Sequence, residues 1–122
     1  MSNQAQNPKS KKKYDLEERT AKFGEDIIEF VKTLPYNLIN RSLISQIVRS
    51  GTSIGANYME ADGAESKKDF RHKISICKKE SKETKHWLRM IAKANLDRKE
   101  ECRNFWREVH EFTLIFSSIY KK

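Results

Sequence analysis

Lysine and arginine residues between positions 68 and 93 recur at the spacing of one helical face. When this segment is written as a heptad with Ile74 at position a, three adjacent outward positions hold twelve residues, of which eight are Lys or Arg, two are His and none is acidic. A solvated helix face normally mixes both signs, because like charges four residues apart destabilise a helix. We call the eight cations the basic stripe: Lys68, Arg71, Lys78, Lys79, Lys82, Lys85, Arg89 and Lys93.

A stripe of one charge sign, about 40 Å long on a helix, matches the phosphates of a nucleic acid backbone. Phosphate contacts carry no base information, so the basic stripe predicts nucleic-acid binding without sequence readout. Two alternatives remain open at this point. Acidic neighbours in an oligomer could neutralise the stripe, or the stripe could dock an acidic partner, as in a protein–protein adaptor. A small toxin–antitoxin component is a third possibility that rests on chain length alone.

Other reactive groups lack the partners that their chemistry needs. Glu83 and His86 form the E-x-x-H motif of di-iron bundles, but such a site needs a second copy on a facing helix and two further inward carboxylates. The glycine-rich run at 50–58 lacks the strand and the lysine of a phosphate-binding loop. No position on the apolar seams holds a carboxylate or a histidine that could act as an acid or base. We therefore predict no metal, no cofactor and no enzymatic activity.

The elements that position the basic stripe follow from one apolar spacing that occurs four times along the chain. In the first segment, steps of four and three residues separate Leu16, Thr20, Phe23, Ile27, Phe30 and Leu34. This is the spacing of an amphipathic helix with a narrow apolar seam. Four such helices joined by short loops bury all four seams only when they pack as antiparallel neighbours. The predicted fold is all-α, an antiparallel up-down four-helix bundle.

Helix boundaries are predicted from capping residues and helix breakers. These are Pro35 at the end of the first helix, Asn40 or Ser42 as the cap of the second, Asp62-Gly63 at its end, Ser66 with Asp69 as a capping box for the third, and Asp97 at the start of the fourth. In the second helix, Gly51 and Gly55 lie one turn apart. We expect them to allow a close approach of a neighbouring helix, because glycine inside a helix is otherwise destabilising.

The 122 residues carry a formal net charge of +8, and a chain of this length fits one domain. Residues 1–13 contain four lysines and no acid, so we predict a disordered basic tail before a bundle over residues 14–122. The chain begins without an apolar leader and has no apolar run of membrane length, which predicts a cytoplasmic protein with no membrane partner. Cys77 and Cys102 fall on apolar seams and are predicted to be reduced.

Several large apolar residues fall outside the seams and would stay exposed in a monomer. A small soluble protein seldom leaves a large apolar surface uncovered, and self-association is a common way to cover it. The sequence therefore predicts a homo-oligomer whose interface includes Trp87, Met90, Trp106 and Leu114.

Two blocks of sequence resemble a known bacterial family of four-helix bundles. The first block, Gln46 to Ala61, reads QIVRSGTSIGANYMEA. The second combines DFRHKI, from Asp69 to Ile74, with KESKETKHWL, from Lys79 to Leu88. The family was named for proteins encoded in intervening sequences of large-subunit ribosomal RNA genes, and it includes the accessory variability determinant of diversity-generating retroelements. The resemblance extends over about residues 23–120.

This resemblance implies a basic bundle that assembles into a ring, usually a homopentamer. In the retroelement branch such a ring binds a reverse transcriptase and its template RNA, which makes RNA rather than DNA the implied nucleic acid. The sequence does not distinguish this role from that of the ribosomal RNA branch. Gly55 stands where many members carry a proline, so the kink of that proline is not implied here. The family has no catalytic residues to carry over.

Overall fold

The computed structural model describes residues 8–122 of the chain, with side chains from Leu16 onward. Its elements are α1 (Pro8–Val31), α2 (Leu38–Asp62), α3 (Lys67–Ala94), a 3-10 turn (Leu96–Arg98) and α4 (Lys99–Lys121). The short connections make successive helices antiparallel neighbours. No strand occurs between residues 8 and 122. The predicted all-α four-helix bundle is confirmed.

The core consists of the predicted apolar seams. All six seam residues of the first segment are buried, including the polar Thr20 of α1 and Leu34 just after its end. The seam of α3 is buried apart from the half-buried Phe70; its other members are Ile74, Cys77, Ser81, Thr84, Leu88 and Ile91. Phe23 of α1 packs edge-to-face on two rings of α4, with centroid distances of 5.9 Å to Phe105 and 5.7 Å to Phe112. Such ring pairs add to the burial energy. They bring α4 back against α1 and close the bundle.

Two of the five predicted helix boundaries agree with the structure and three do not, the first being the end of α1, which lies at Val31 rather than at Pro35. The Ser66 side chain accepts a hydrogen bond from the Asp69 amide at 3.0 Å, and α2 ends at Asp62 with Gly63 as its cap. The predicted cap of α2 at Asn40 or Ser42 is wrong, because the helix begins at Leu38 and its cap is Asn37. α4 begins at Lys99 rather than Asp97, since the 3-10 turn comes first.

The predicted tail and the first helix overlap in the structure. α1 begins at Pro8 and therefore includes the last six residues of the 1–13 segment. Residues 1–7, the remainder of that segment, lie outside the described residues.

Asn40 has a structural role that its place in the sequence does not suggest. Its side chain is buried and exchanges two hydrogen bonds with Asn95, at 3.0 Å and 2.9 Å, across the bundle end. Asn40 Nδ2 also donates to the Pro35 carbonyl at 2.9 Å. These bonds join the α1–α2 connection to the α3–α4 connection. Because each buried amide satisfies the other, the pair avoids the cost of an unpaired buried polar group.

Gly51 is buried where α2 crosses α1. A Cβ atom at Gly51 would lie 3.6 Å from Ile27 Cγ1 and 3.7 Å from a ring carbon of Phe23. Those are ordinary contact distances, so a single methyl group fits and a longer side chain does not. At Gly55 the added Cβ would lie 3.3 Å from Thr20 Oγ1 and 3.4 Å from the Thr20 backbone, a tighter approach. Both contacts support the predicted close packing of α2 on α1.

The space beside Gly51 gives a test of this packing. Gly51→Leu is expected to destabilise the bundle by about 1–3 kcal/mol, because its branched end would overpack Ile27 and Phe23. Gly51→Ala is the matched control and should be at least as stable as the parent, since alanine favours the helix by about 1 kcal/mol. Urea unfolding followed by circular dichroism measures both. Equal stability of the two variants would contradict the close approach.

The two cysteines are free and buried in the core. Burial raises the pKa of the Cys77 thiol to about 12 and that of the Cys102 thiol to about 11. Both thiols therefore stay protonated at neutral pH and behave as small apolar core residues, since the thiolate is the reactive form.

Candidate nucleic-acid interface

The basic stripe lies along the outer side of α3. α3 packs against both α2 and α4, and the stripe follows the face that remains. Five of its cations are exposed: Lys68, Lys79, Lys82, Arg89 and Lys93. The other three, Arg71, Lys78 and Lys85, are half-buried. The structure therefore places all eight predicted residues on one helix, but with unequal access to a ligand.

Two acids of α3 are held away from the stripe by α2. Arg49 pairs with Glu80 at 3.3 Å and also with Glu83. Glu83 accepts a further hydrogen bond from Trp87 Nε1 at 3.0 Å. These contacts neutralise both carboxylates where α2 and α3 pack together. As a result, Glu80 and Glu83 do not offset the positive charge of the basic stripe on the outer face of α3.

Arg71 and Lys85 are engaged by aromatic side chains of α4. The Arg71 guanidinium lies 4.5 Å from the ring centroid of Tyr120, and Lys85 Nζ lies 4.6 Å from that of Trp106. Lys85 Nζ also lies 2.9 Å from His110 Nδ1. Because an ammonium group can only donate, Nδ1 of His110 is the acceptor in this contact. These two cations brace α4 as well as adding charge.

The remaining six stripe cations have no ion pair or hydrogen bond to any residue between 16 and 122. These are Lys68, Lys78, Lys79, Lys82, Arg89 and Lys93. Unpaired cations on one side of a helix repel each other, and a bound polyanion relieves that repulsion. The outer face of α3 therefore carries six cations whose charge no described side chain neutralises.

The positive surface continues onto α4, which the sequence reading missed. A groove of about 420 Å³ runs between α3 and α4. Its lining consists of the apolar side chains Leu88, Ala92, Cys102 and Trp106 and the cations Arg89, Lys99, Arg103 and Arg107. The signal in the sequence was Lys99, Arg103 and Arg107 at spacings of four, which places them on one face of α4.

Three acidic residues of α4, Glu101, Glu108 and Glu111, lie on the side that faces α1, whereas Glu100 pairs with the groove residue Arg103 at 3.4 Å. Arg19 of α1 donates to Glu108 at 2.9 Å and also pairs with Glu111. The hydrogen bond that Arg19 donates to Glu108 raises the pKa of Arg19 further above its already high value. α4 therefore carries Lys99, Arg103 and Arg107 toward α3 and most of its carboxylates toward α1, with Glu100 paired to Arg103. The bundle has one strongly basic side formed by α3 and the adjacent edge of α4.

The E-x-x-H motif does not form a metal site. Glu83 is occupied by Arg49 and Trp87, while His86 is exposed with its ring 5.0 Å from the Trp87 ring. Within the described part of the chain, no group of three or more His, Cys, Asp or Glu side chains could hold a metal ion.

The four predicted interface residues occupy different environments. Trp87 packs against the core and Met90 is half-buried. Trp106 lies in the groove between α3 and α4, and Leu114 is exposed on α4. The structure does not gather these residues into one patch, and their role in self-association stays a prediction.

More exposed apolar side chains lie at one end of the bundle. Tyr36 and Leu96 belong to the α1–α2 and α3–α4 connections, and Leu38 and Ile39 lie in the first turn of α2, near the Asn40–Asn95 pair. The sequence predicts the start of α2 at Asn40 or Ser42 and therefore does not predict Leu38 and Ile39 as part of an interface.

None of the helices among residues 8–122 is long and apolar enough to cross a membrane.

Comparison with known proteins agrees with this architecture. A family model described as 23S rRNA-intervening sequence protein matches residues 12–118. The chain belongs to the 23S rRNA-intervening sequence protein family. A crystal structure of a protein of unknown function from Bacteroides thetaiotaomicron, described as a member of the S23 ribosomal protein family, has a similar fold. The two chains are 32% identical and superpose with a TM-score of 0.75, over 87% of this chain and 98% of the other.

The 23S rRNA-intervening sequence protein match covers all of α2, α3 and the 3-10 turn, and therefore the whole basic stripe. It confirms the family to which the two quoted sequence blocks pointed. We found no similar chain among curated proteins.

Proposed function

We propose that this 23S rRNA-intervening sequence protein is a non-enzymatic accessory protein that binds RNA along the basic stripe. The observation that supports this most is the set of six stripe cations on one face of α3 that have no ion pair or hydrogen bond to any residue between 16 and 122. Beside them, Arg49 of α2 pairs with Glu80 and Glu83 and so draws these acids away from the stripe. A helix face designed only for solubility would keep its acids among its bases. The continuous positive surface on α4 adds to the same side of the molecule.

The choice of RNA rests on the family. Its description refers to an intervening sequence of 23S rRNA, which favours a role connected with ribosomal RNA. A role in a diversity-generating retroelement, with a reverse transcriptase as partner, is the alternative within the same family. A reverse-transcriptase gene beside this one would favour the retroelement role, and a position inside a ribosomal RNA operon would favour the first. A third candidate function is an adaptor for an acidic protein, and the RNA-binding measurement described next also tests it.

RNA binding is tested by its dependence on salt. Affinity for a labelled RNA should fall steeply between about 50 and 200 mM salt, because each neutralised phosphate releases counterions. The log–log slope is expected to be about −0.7 per contact on single strands and about −0.9 on duplex DNA. Filter binding across a salt series measures it. Binding that is insensitive to salt, or absent at the lowest salt, would favour the adaptor.

We also infer that the protein self-associates, with Leu114 and the exposed apolar end as the surfaces that it covers. Light scattering after size exclusion should give several times the mass of one chain. Leu114→Glu is expected to lower that mass, because a charge would be buried in the interface. Met59→Glu, at an equally exposed apolar residue of α2, is the control and should leave the mass unchanged. A monomer at tens of micromolar would contradict this inference, and the pentameric ring with it.

A further inference from the structure

The groove between α3 and α4 contains an aromatic ring that the core does not use. Trp106 is 38% exposed, whereas Trp87 is half-buried and packs against the core. The exposed Trp106 ring shares the groove walls with four cations, Arg89, Lys99, Arg103 and Arg107. Such a ring offers one large flat face to a ligand.

The Trp106 ring is held in one orientation by its neighbours. The His110 ring stacks on it with a centroid distance of 5.0 Å and an angle of 11° between the planes. Lys85 approaches both rings and donates to His110. His110 lies one helical turn after Trp106, and the groove residues Cys102 and Arg103 lie one turn before it. The indole thus stands between the histidine and the groove. Because its neighbours already fix the Trp106 side chain, a ligand that stacks on it loses little affinity to side-chain ordering.

We propose that this groove binds one unpaired base of a single-stranded nucleic acid, stacked on Trp106, while Arg89, Lys99, Arg103 and Arg107 contact the phosphates on either side. The proposal rests on the proposed function, because it assumes that the protein binds RNA. It adds that RNA is held as a single strand at this point. The groove volume of about 420 Å³ is within the range of sites for small organic ligands, about 300–1,000 Å³.

The chemistry of the groove favours a single strand over the two other occupants that its charge would admit. A base pair within an A-form duplex is stacked on its neighbours and cannot reach an aromatic ring in a groove. An acidic peptide would satisfy the four cations but would leave the flat face of Trp106 without a matching plane. Single-strand binding sites combine cations along the backbone with aromatic rings for the bases, which is the combination present here.

The basic stripe and the groove then have separate tasks. Lys78, Lys79 and Lys82 lie on α3 before the groove begins, and Arg89 belongs to both surfaces. The stripe attracts any nucleic acid backbone, because its contacts are to phosphate alone. The groove prefers a strand whose bases are free. The protein should therefore bind both forms of RNA and should prefer the single strand.

The test compares Trp106→Leu, Trp106→Phe and the parent protein on two labelled RNAs, a single strand of about 12 nucleotides and a duplex of the same length. Loss of one stacked base is expected to weaken single-strand binding by about 5- to 150-fold in Trp106→Leu. Trp106→Phe keeps a stacking ring and should retain most of the affinity. Duplex binding should change by less than about twofold in both variants, because the stripe is intact.

A fluorescence measurement identifies the ring that is contacted. In Trp87→Phe, Trp106 is the only remaining tryptophan, and stacking of a base on it should quench its emission when the single strand binds. Fluorescence that the single strand leaves unchanged would overturn the proposal. So would equal losses on single strand and duplex, or no loss on either, in Trp106→Leu.

Two controls separate this proposal from the claims on which it rests. If charge reversal in the stripe weakens RNA binding but Trp106→Leu does not, RNA binding stands and the groove site is wrong. If Trp106→Leu lowers the oligomer mass, the ring is part of a protein interface and the groove site is likewise wrong. A polyglutamate peptide that quenches Trp106 more strongly than RNA does would assign the groove to an acidic partner instead.

Discussion

Charge reversal of Lys78, Lys79 and Lys82 to glutamate is expected to abolish RNA binding at about 0.15 M salt. All three cations lie on the outer face of α3, and none has a partner among the described residues. Lys85 is left unchanged because it braces Trp106 and His110, so that its loss would mix structural and electrostatic effects. At lower salt, where binding is still measurable, the slope on single strands should shrink by about two units for three lost contacts.

The matched control reverses three cations elsewhere on the bundle. Lys22 lies on α1, Lys32 just after the end of α1, and Arg41 on α2, and all three are exposed. Their reversal changes the net charge by the same amount as reversal of Lys78, Lys79 and Lys82. Lys22 and Lys32 form only exposed ion pairs, with Asp26 and Glu29, which contribute about 0–1 kcal/mol to stability. This control should bind RNA almost as well as the parent. If both triple variants lose binding equally, net charge rather than the stripe is responsible.

Truncation of Phe112 is expected to have the largest effect on stability. Phe112→Ala should lower the free energy of unfolding by about 3–5 kcal/mol, because the deleted ring leaves a cavity in the core. Phe112 is fully buried, packs against Phe23 and Phe116, and has the Arg19 guanidinium 5.3 Å above its ring. Urea denaturation of parent and variant at one protein concentration measures the difference, since self-association would make the midpoint depend on concentration.

Phe70→Ala removes the same side chain from a half-buried seam position at the start of α3. Its cost should be clearly smaller, because solvent already reaches that ring and can fill the space. Equal losses for Phe70→Ala and Phe112→Ala would mean that the ring cluster between α1 and α4 does not dominate the core.

The fold was predictable because its signal is local and repeated. Steps of three and four residues identify a buried helical stripe without knowledge of its neighbours, and the six seam residues of the first segment, from Leu16 to Leu34, are all buried. The cap at Ser66 was found for the same reason, since a capping box is complete within four residues. The cap at Asn37 was missed, because the exposed Leu38 and Ile39 of the first turn of α2 resemble a loop more than an amphipathic helix.

The candidate site was predictable only in part. The eight cations of the basic stripe share one helix, so their common face follows from their spacing alone. Their availability does not, because the partners that occupy Arg71 and Lys85 are Tyr120 and Trp106, which lie on a different helix. The same limit applies to the acids, since Arg49 of α2 withdraws Glu80 and Glu83 from the stripe.

The helices, their buried faces, the basic stripe and the family follow from the amino-acid sequence, because each depends on residue type and spacing along one segment. The packing of the helices sets which cations of the described residues lack a partner and which side chains meet in the groove of Arg89, Lys99, Arg103 and Trp106. That groove exists because α3 and α4 pack side by side. Periodicity within either helix carries no information about the rotation of one helix against the other, and that rotation brings Trp106 of α4 beside Lys85 of α3.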